Sequence, residues 1–356
     1  MKIRARHFRT GRSVWFDAQA RKPNLSSLVF GPGFIDLQCN GFAGVDFNHP
    51  STTAQQVATT VSALRRSGCT QFLPTIITHS PDRIEHLLRI LVAARALDPA
   101  VRRAVPGFHL EGPFISPEDG ARGAHPREHV RPVERVLWRR WQRAAEGGIR
   151  LVTLAPEARG AIPFIRQLHA EKVTVALGHT LATRSQIAAA ANAGAQLATH
   201  LGNGCPQQIH RHHNPVFAQL ADDRLAASFI ADGVHLPPDV LRTFFRAKGA
   251  ARAILVTDAM AAAGAPAGRY TLGDLVLEVG RDRIVRQPGQ PHFAGSGLAM
   301  NDAVATLMRD ADATLAQAWS AASTNPRRLL GLAPTREIVI AAPGAARLEV
   351  VAVVEW

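Results

Sequence analysis

Cysteine, lysine and tyrosine are scarce in this 356-residue sequence, which has three cysteines and one tyrosine. The cysteines, Cys39, Cys69 and Cys205, are far apart, and none belongs to a CxxC pair. Disulfide frameworks and thiolate zinc sites need paired or closely spaced cysteines. The sequence therefore predicts neither kind of site.

Long apolar runs are also missing. Segments such as 187–195 are too short, and too often interrupted by polar residues, to cross a bilayer. The chain opens with basic residues, Lys2, Arg4 and Arg6, but no apolar secretion-signal segment follows them. We therefore expect a cytoplasmic protein without a membrane partner.

The formal net charge is +13 and comes almost wholly from arginine, because lysine occurs only at positions 2, 22, 172 and 248. A charge of this size suits nucleic acid, a membrane surface or an anionic substrate. The arginines are scattered along the chain, however, and no nucleic-acid-binding module is recognisable. We therefore expect no nucleic-acid partner and regard the charge as compatible with an anionic substrate.

Short apolar strands alternate with amphipathic helices through the middle of the chain. Strand-like segments fall at 33–38, 70–77, 105–110, 151–154, 173–177, 197–200, 227–231 and 253–257. This alternation predicts a parallel sheet, and eight such units favour a closed (β/α)8 TIM-like barrel over an open sheet.

The two ends of the chain have a different pattern. Strand-like segments in 1–31 and 333–356 predict a small accessory β-sheet unit beside a barrel domain of residues 32–332. Residues 270–286 predict a hairpin that turns at 280–282.

Polar residues follow the predicted strands at the barrel end that holds the active site in this fold. Glu111, His179 and His200 provide one oxygen and two nitrogen ligands, a set typical of a catalytic zinc ion with one position open for water. Such an ion lowers the pKa of bound water and polarises a carbonyl group. The residue types therefore predict a metal-dependent hydrolase.

Three further residues complete this constellation. Asp258 follows the last strand, where it can take a proton from water and return it to a leaving amine. His125 and His235 remain as hydrogen-bond donors to a carbonyl oxygen or to substrate hydroxyl groups.

A set of motifs occurs in fixed order along the chain: PGFIDLQCNG (32–41), GFHLEGPFIS (107–116), GAHP (123–126), TLAPE (153–157), LGHT (177–180), THLGNG (199–204), IADGVHLP (230–237), LVTDAM (255–260) and GSGLAM (295–300). This set resembles the N-acetylglucosamine-6-phosphate deacetylases of the amidohydrolase superfamily. The resemblance covers roughly residues 32–332. It implies hydrolytic deacetylation of N-acetylglucosamine-6-phosphate to glucosamine-6-phosphate and acetate, and a homodimer.

The resemblance also assigns roles to individual residues. Glu111, His179 and His200 match the metal ligands, and Asp258 matches the general base and acid. His125 is similar to the histidine that polarises the acetyl carbonyl, and His235 to one that contacts the sugar.

The motif at the end of the first strand differs from that of many amidohydrolases. Where these carry His-x-His and bind a second metal, this sequence has Gln38 and Asn40, as in the single-metal branch of the deacetylases. Amide groups are poor zinc ligands, so we expect one divalent ion. Zinc is favoured, and iron, cobalt and manganese also suit the ligand set. Gln38 and Asn40 are then expected to orient ligands or water.

The segment that holds the sugar phosphate in the family departs further. Asn203 and Gly204 resemble the phosphate loop, and the resemblance implies that Arg211 stands in for the family's phosphate-clamping arginine, which reaches the neighbouring subunit. The cluster 210–213 is alternatively a solvated loop or a dimer contact. From motif position, Leu298, with His292 and Phe293 nearby, is expected to line the acyl pocket.

Two other functions remain open at this point. One keeps the amidohydrolase chemistry but acts on an unphosphorylated or differently N-acylated amine. The other is a non-catalytic sugar-phosphate-binding protein on a decayed barrel. The retained Glu111, His179, His200 and Asp258 argue against the second, because decay is expected to remove such residues first.

Overall fold

The computed structural model describes residues 2–18, 27–289, 293–344 and 347–356. In chain order, the strands are β1 (Lys2–His7), β2 (Ser13–Asp17), β3 (Val29–Pro32), β4 (Phe34–Cys39), β5 (Gly41–Phe42), β6 (Val45–Asp46), β7 (Cys69–Ile76), β8 (Phe108–Glu111), β9 (Ile149–Leu154), β10 (Thr174–Leu177), β11 (Leu197–Ala198), β12 (Ala226–Ile230), β13 (Ala253–Val256), β14 (Gly268–Leu272), β15 (Leu275–Val279), β16 (Val285–Arg286), β17 (Glu337–Pro343) and β18 (Leu348–Glu355). The helices are α1 (Ala54–Arg66), α2 (Pro81–Leu97), α3 (Pro99–Ala104), α4 (Arg135–Ala144), α5 (Ala161–Ala170), α6 (Arg184–Ala193), α7 (Pro215–Ala221), α8 (Pro238–Lys248), α9 (Met300–Asp310), α10 (Leu315–Ala322) and α11 (Thr324–Leu329).

Eight parallel strands form the barrel, in the order β4, β7, β8, β9, β10, β11, β12, β13. These strands are almost continuously buried because helices cover their outer side. The first and last strands meet just beyond their ends, at a parallel bridge between Cys39 and Ala259. The predicted (β/α)8 barrel is confirmed, and each of the eight predicted strand segments overlaps one of its strands.

The outer helices begin and end where the sequence provides local signals. Thr53 and Thr183 each form a capping box with a glutamine three residues later, at the starts of α1 and α6. Apolar side chains on one face of each helix, such as Val57 and Leu64 in α1, pack against the barrel. These signals place the helices on the outside of the barrel.

The ends of the chain form a separate five-stranded sheet, ordered β18, β17, β3, β1, β2. It has its own apolar cluster, which includes Ile3, Phe16, Phe30 and Ile340. The predicted terminal sheet is therefore present. The exact boundaries 1–31, 32–332 and 333–356 stay a proposal, because the sheet lies directly against the barrel through contacts such as that of Phe8 with Trp319.

The segment after the last barrel strand differs in detail from the predicted hairpin. It is a three-stranded antiparallel sheet of β14, β15 and β16, and its first turn lies at Gly273 and Asp274. The predicted turn at 280–282 lies between β15 and β16 instead. Gly273 adopts a φ of 61°, which suits the tight turn. Among the residues described, no helix is long and apolar enough to cross a membrane.

Candidate metal centre and active site

The predicted ligands lie together at the carboxyl end of the barrel. Glu111 is the last residue of β8, and His179 and His200 each lie two residues beyond β10 and β11. Asp258 lies two residues beyond β13. Parallel strands of a barrel end at one face, so residues more than 140 positions apart in the sequence meet there.

Three of these residues have an unusual backbone conformation. His179, His200 and Asp258 have φ angles of 52°, 28° and 49°. Residues other than glycine rarely adopt this left-handed backbone conformation, and each residue held in it costs about 1–3 kcal/mol of folding free energy. Surrounding hydrogen bonds hold the conformation, for example that from Asp258 N–H to the Gln38 carbonyl at 3.0 Å. The sharp turns aim the side chains into the barrel mouth, as is typical of functional sites.

The ligand atoms of Glu111, His179 and His200 are spaced for one ion. Glu111 Oε1 lies 3.1 Å from Nε2 of each histidine, and the two Nε2 atoms are 3.2 Å apart. Zinc bonds of about 2.0–2.1 Å in a tetrahedron place ligand atoms about 3.3 Å apart. Among the residues described, this is the one group of three or more His, Cys, Asp or Glu side chains that can hold an ion.

Neighbouring groups fix which ring nitrogens carry protons. His179 Nδ1 lies 3.0 Å from the Ala121 carbonyl, which can only accept, so the proton of the neutral ring lies on Nδ1. Its Nε2 then presents a lone pair to Glu111 Oε1. Two acceptors facing each other at this distance are satisfied by a cation between them, and the residues therefore fit a metal ion.

His125 has the opposite tautomer. Its Nδ1 accepts from the Thr78 backbone N–H at 3.3 Å and lies 2.8 Å from the Thr78 hydroxyl. The proton of the neutral ring is therefore on Nε2, which is 3.2 Å from His179 Nε2. Burial, followed by the electrostatic effect of the neighbouring His179 ring, holds the pKa of His125 well below its ordinary value. His125 is thus a neutral donor beside the ligands.

Asp258 has the properties of a proton carrier. Desolvation in the cavity wall and the nearby charge of Glu111 raise the pKa of Asp258 to about 6. Asn40 Nδ2 donates to Asp258 Oδ1 at 2.7 Å and leaves Oδ2 for another partner. A carboxyl group with a pKa near the working pH is well suited to general base and acid catalysis.

Gln38 contacts a ligand without lining the cavity. Its Nε2 donates to Glu111 Oε1 at 2.9 Å, so it fixes the orientation of that carboxylate. Asn40 does line the cavity, and its Oδ1 is buried without a hydrogen-bond partner. The two amides that replace His-x-His therefore differ in position, one beneath the ligands and one facing the cavity.

A cavity of about 640 Å³ lies over the cluster. Asn203, Gly204 and His235 line it as predicted positions, and His235 Nδ1 lies 2.6 Å from Asp232 Oδ2. Its apolar walls are Ile77, Ala124, Ile230, Leu272, Phe293 and Ala294. The volume suits a ligand the size of an amino sugar.

Two predicted substrate residues do not line this cavity. Leu298 is buried and lines a separate small cavity that it shares with His235. The Ser296 hydroxyl, two residues earlier, donates to the Thr257 carbonyl and holds this segment against the end of β13. Leu272, from the β14–β15 sheet, occupies the cavity wall instead. His292 lies outside the described residues.

Arg211 is the second predicted substrate residue that does not line the cavity. It is exposed and absent from the cavity wall, while Arg122 provides the arginine that lines it. In the same loop His210 Nδ1 accepts from the backbone N–H groups of His212 and His213 at 3.2 and 2.9 Å, which folds the loop upon itself. Within one chain the 210–213 cluster is therefore a solvated loop.

Two glycines allow loops to close over His179. A Cβ atom at Gly204 would lie 2.9 Å from His179 Nδ1, and one at Gly123 would lie 3.3 Å from Cε1. Gly204 therefore has two roles: it lines the cavity, and its lack of a side chain lets the loop pack against the ring of His179, a predicted metal ligand.

Sequence reasoning missed the residues that support the site. Thr78 orients His125, and Ala121 orients His179 through its backbone carbonyl. Neither has a recognisable side-chain signal, because a threonine or alanine in a loop is common. Asp232 has a stronger signal, since Asp-x-x-His places the carboxylate within reach of the imidazole of His235.

A buried Glu/His/His cluster with a neighbouring carboxylate, at the carboxyl end of a (β/α)8 barrel, defines a metal-dependent hydrolase class. Residues 30–335 match the Amidohydrolase family. The chain belongs to the amidohydrolase family.

Among members of the family, this chain is similar to deacetylases of amino-sugar phosphates. N-acetylglucosamine-6-phosphate deacetylase of Bacillus subtilis (strain 168) is 34% identical over 309 residues, which is 85% of this chain and 76% of that protein. N-acetylgalactosamine-6-phosphate deacetylase of Escherichia coli O157:H7 is 35% identical over 302 residues, 85% of this chain and 78% of that protein.

A solved structure of a related deacetylase resembles this chain over nearly its whole length. A mutant N-acetyl-D-glucosamine-6-phosphate deacetylase from Mycobacterium smegmatis, in complex with N-acetyl-D-glucosamine-6-phosphate, has a TM-score of 0.84 and 30% identity. The alignment covers 96% of this chain and 93% of that chain.

Proposed function

We propose that this protein hydrolyses the N-acetyl group of an amino-sugar phosphate, with N-acetylglucosamine-6-phosphate as the leading substrate. The observation that carries the proposal is the pairing of the Glu111–His179–His200 cluster with Asp258 in one cavity. Acetate and the amino-sugar phosphate are the products. The names of the relatives support the substrate class.

One divalent ion, zinc in our proposal, would be held by Glu111, His179 and His200. Bound there, such an ion lowers the pKa of water and polarises a carbonyl group. Two nitrogen ligands and one oxygen ligand suit zinc, and the amides at Gln38 and Asn40 disfavour a second ion.

The remaining steps fall to side chains of this chain. Asp258 Oδ2 takes a proton from water as the water oxygen forms a bond to the amide carbon, and Asn40 holds the other carboxylate oxygen. His125 donates from Nε2 to the carbonyl oxygen, where negative charge develops. Asp258 then gives its proton to the amide nitrogen as the carbon–nitrogen bond breaks.

Acetate release tests the proposal. Protein reconstituted with zinc is assayed in parallel on N-acetylglucosamine-6-phosphate and N-acetylglucosamine, with chelated protein as the control. We expect activity on the phosphorylated sugar and none after chelation. Activity on the free sugar alone would assign the enzyme to an unphosphorylated substrate. Arg122 is the one arginine or lysine in the described cavity wall, so it is the cationic side chain available to a phosphate group.

Homodimer assembly and a cytoplasmic location remain proposals as well. The exposed Phe217, 49% accessible and close to Arg211 in the chain, is compatible with a contact between copies. Light scattering of the purified protein and fractionation of the source cell would test the two separately.

A further inference from the structure

One buried carboxylate joins the first and last strands of the barrel beneath the cavity. Asp36 lies in β4 and is fully buried. Its carboxylate accepts from the Thr257 hydroxyl, and from the backbone N–H groups of Thr257 and Gln38 at 3.2 Å each. Thr257 follows β13 directly, so the carboxylate of Asp36 bridges the place where the barrel closes.

Both hydrogen-bond partners of Asp36, Thr257 and Gln38, are directly linked to residues of the proposed reaction site. Thr257 precedes Asp258, which is held in a left-handed conformation. Gln38 donates to Glu111 Oε1 at 2.9 Å. A shift of the Asp36 carboxylate would therefore move the proposed base and the orienting amide of a ligand together.

The barrel seam also has backbone contacts that do not need Asp36. Asn40 N–H donates to the Ala259 carbonyl at 2.7 Å, and Cys39 and Ala259 form a parallel bridge. The Asp36 bonds add to this pairing at the two residues next to the catalytic groups. This position suggests a role in geometry as well as in barrel closure.

A second buried carboxylate provides an internal comparison. Asp46 accepts from the backbone N–H two residues later, Asn48, at 2.8 Å, from the Thr271 hydroxyl at 2.9 Å and from the Gly273 N–H at 2.8 Å. Asp36 likewise accepts from an N–H two residues later, a threonine hydroxyl and one more N–H. Asp46, however, ties the β14–β15 turn to the β5–β6 hairpin and has no hydrogen bond to Asp258 or to a predicted metal ligand.

We propose that Asp36 is a positioning residue for the reaction, holding Asp258 and Gln38 in one working arrangement. The proposal rests on the proposed function, since it assigns Asp258 the proton transfers. Asp36 does not line the cavity. Its removal should therefore change turnover far more than substrate affinity.

The test uses two matched pairs in the zinc-loaded full chain. Asp36→Asn removes the charge of the bridging carboxylate and Thr257→Val removes its hydroxyl donor. Asp46→Asn and Thr271→Val make the same changes at the other carboxylate. We expect kcat to fall about 10–100-fold in the first pair, the range for residues that orient a metal site. KM should change less than threefold. The second pair should lose similar thermal stability and keep kcat within twofold.

A second measurement does not depend on activity. Cobalt-substituted protein has a visible spectrum that reports the arrangement of its ligands, so Asp36→Asn should alter the spectrum through Gln38 and Glu111, and Asp46→Asn should not. Equal kcat losses in both pairs, or a cobalt spectrum unchanged by Asp36→Asn, would overturn the proposal. If the wild type releases no acetate, the proposed function fails, and the cobalt comparison still decides the role of Asp36.

Discussion

The floor and the rim of the cavity are built in different ways. The floor consists of side chains at strand ends, of which Glu111, His179 and His200 are at most 6% exposed. The rim consists of loops, including 119–124 and 203–207, where Asp119 has a side chain that is 79% exposed. Floor residues are fixed by the barrel register, whereas rim residues depend on how loops pack together.

Because of this difference, we expect floor residues to carry out the reaction and rim residues to determine how well a substrate binds. Floor side chains have fixed partners, and Asp258 is one whose pKa is also shifted. The rim loops, and the wall residue Leu272 at the end of β14, offer surface to a substrate. Substitutions in the floor should therefore act on kcat, and those in the rim on KM.

The largest effect is expected at a floor ligand. Glu111→Ala removes the oxygen ligand, so the protein should lose its ion and at least about 1000-fold of its activity, equivalent to about 4 kcal/mol. Metal analysis after dialysis and acetate release would measure both. Asp119→Ala removes an exposed rim carboxylate and should retain the ion; equal metal loss in the two variants would contradict the division.

Asp258→Asn should come next. The variant keeps the side-chain shape but cannot take a proton, so kcat should fall about 100–10,000-fold while the ion stays bound. Steady-state kinetics and metal analysis on the same sample would check this. Asp119→Asn is the matched rim substitution, and turnover within a few-fold of wild type in Asp258→Asn would remove this residue from the mechanism.

Two buried carboxylates should make stability depend on pH in different ranges. Burial raises the pKa of Asp36 to about 7 and that of Asp46 to about 6, from 3.8. Each folded carboxyl holds its proton more tightly than the unfolded one. The stability this contributes is complete below about pH 4, and is lost as pH rises through the folded pKa.

Urea unfolding in the presence of a chelator would measure the effect against the matched variants. The wild type should lose stability relative to Asp36→Asn up to about pH 7, and relative to Asp46→Asn up to about pH 6. The slope is at most about 1.4 kcal/mol per pH unit. A difference from Asp36→Asn that stays constant between pH 5 and 7 would contradict the raised pKa.

The smallest kinetic effect is expected from a pair of leucines. Leu272 and Leu298 are 4% and 7% exposed, and only the first lines the cavity. Both Leu→Ala changes should cost about 2–5 kcal/mol of stability. Leu272→Ala should also raise KM several-fold, while Leu298→Ala leaves it within twofold. A larger KM change in Leu298→Ala would restore the prediction made from its motif position.

The sequence by itself determined the barrel and the floor of the site. Alternating strand and helix patterns specify the (β/α)8 fold, and a polar residue after a barrel strand must lie at the carboxyl end. Glu111, His179, His200 and Asp258 could therefore be placed together from their strands alone. The terminal sheet followed from the β-rich ends in the same way.

Only the tertiary structure decided the rim and the supporting contacts. The first turn at Gly273, the inward position of Leu298 and the outward position of Arg211 depend on packing between segments far apart in sequence. The tautomer of His125 depends on Thr78, and Asp36 accepts from Thr257, the residue next to Asp258. Strand periodicity fixes direction along a strand, but loops and long-range hydrogen bonds have no period from which their partners can be read.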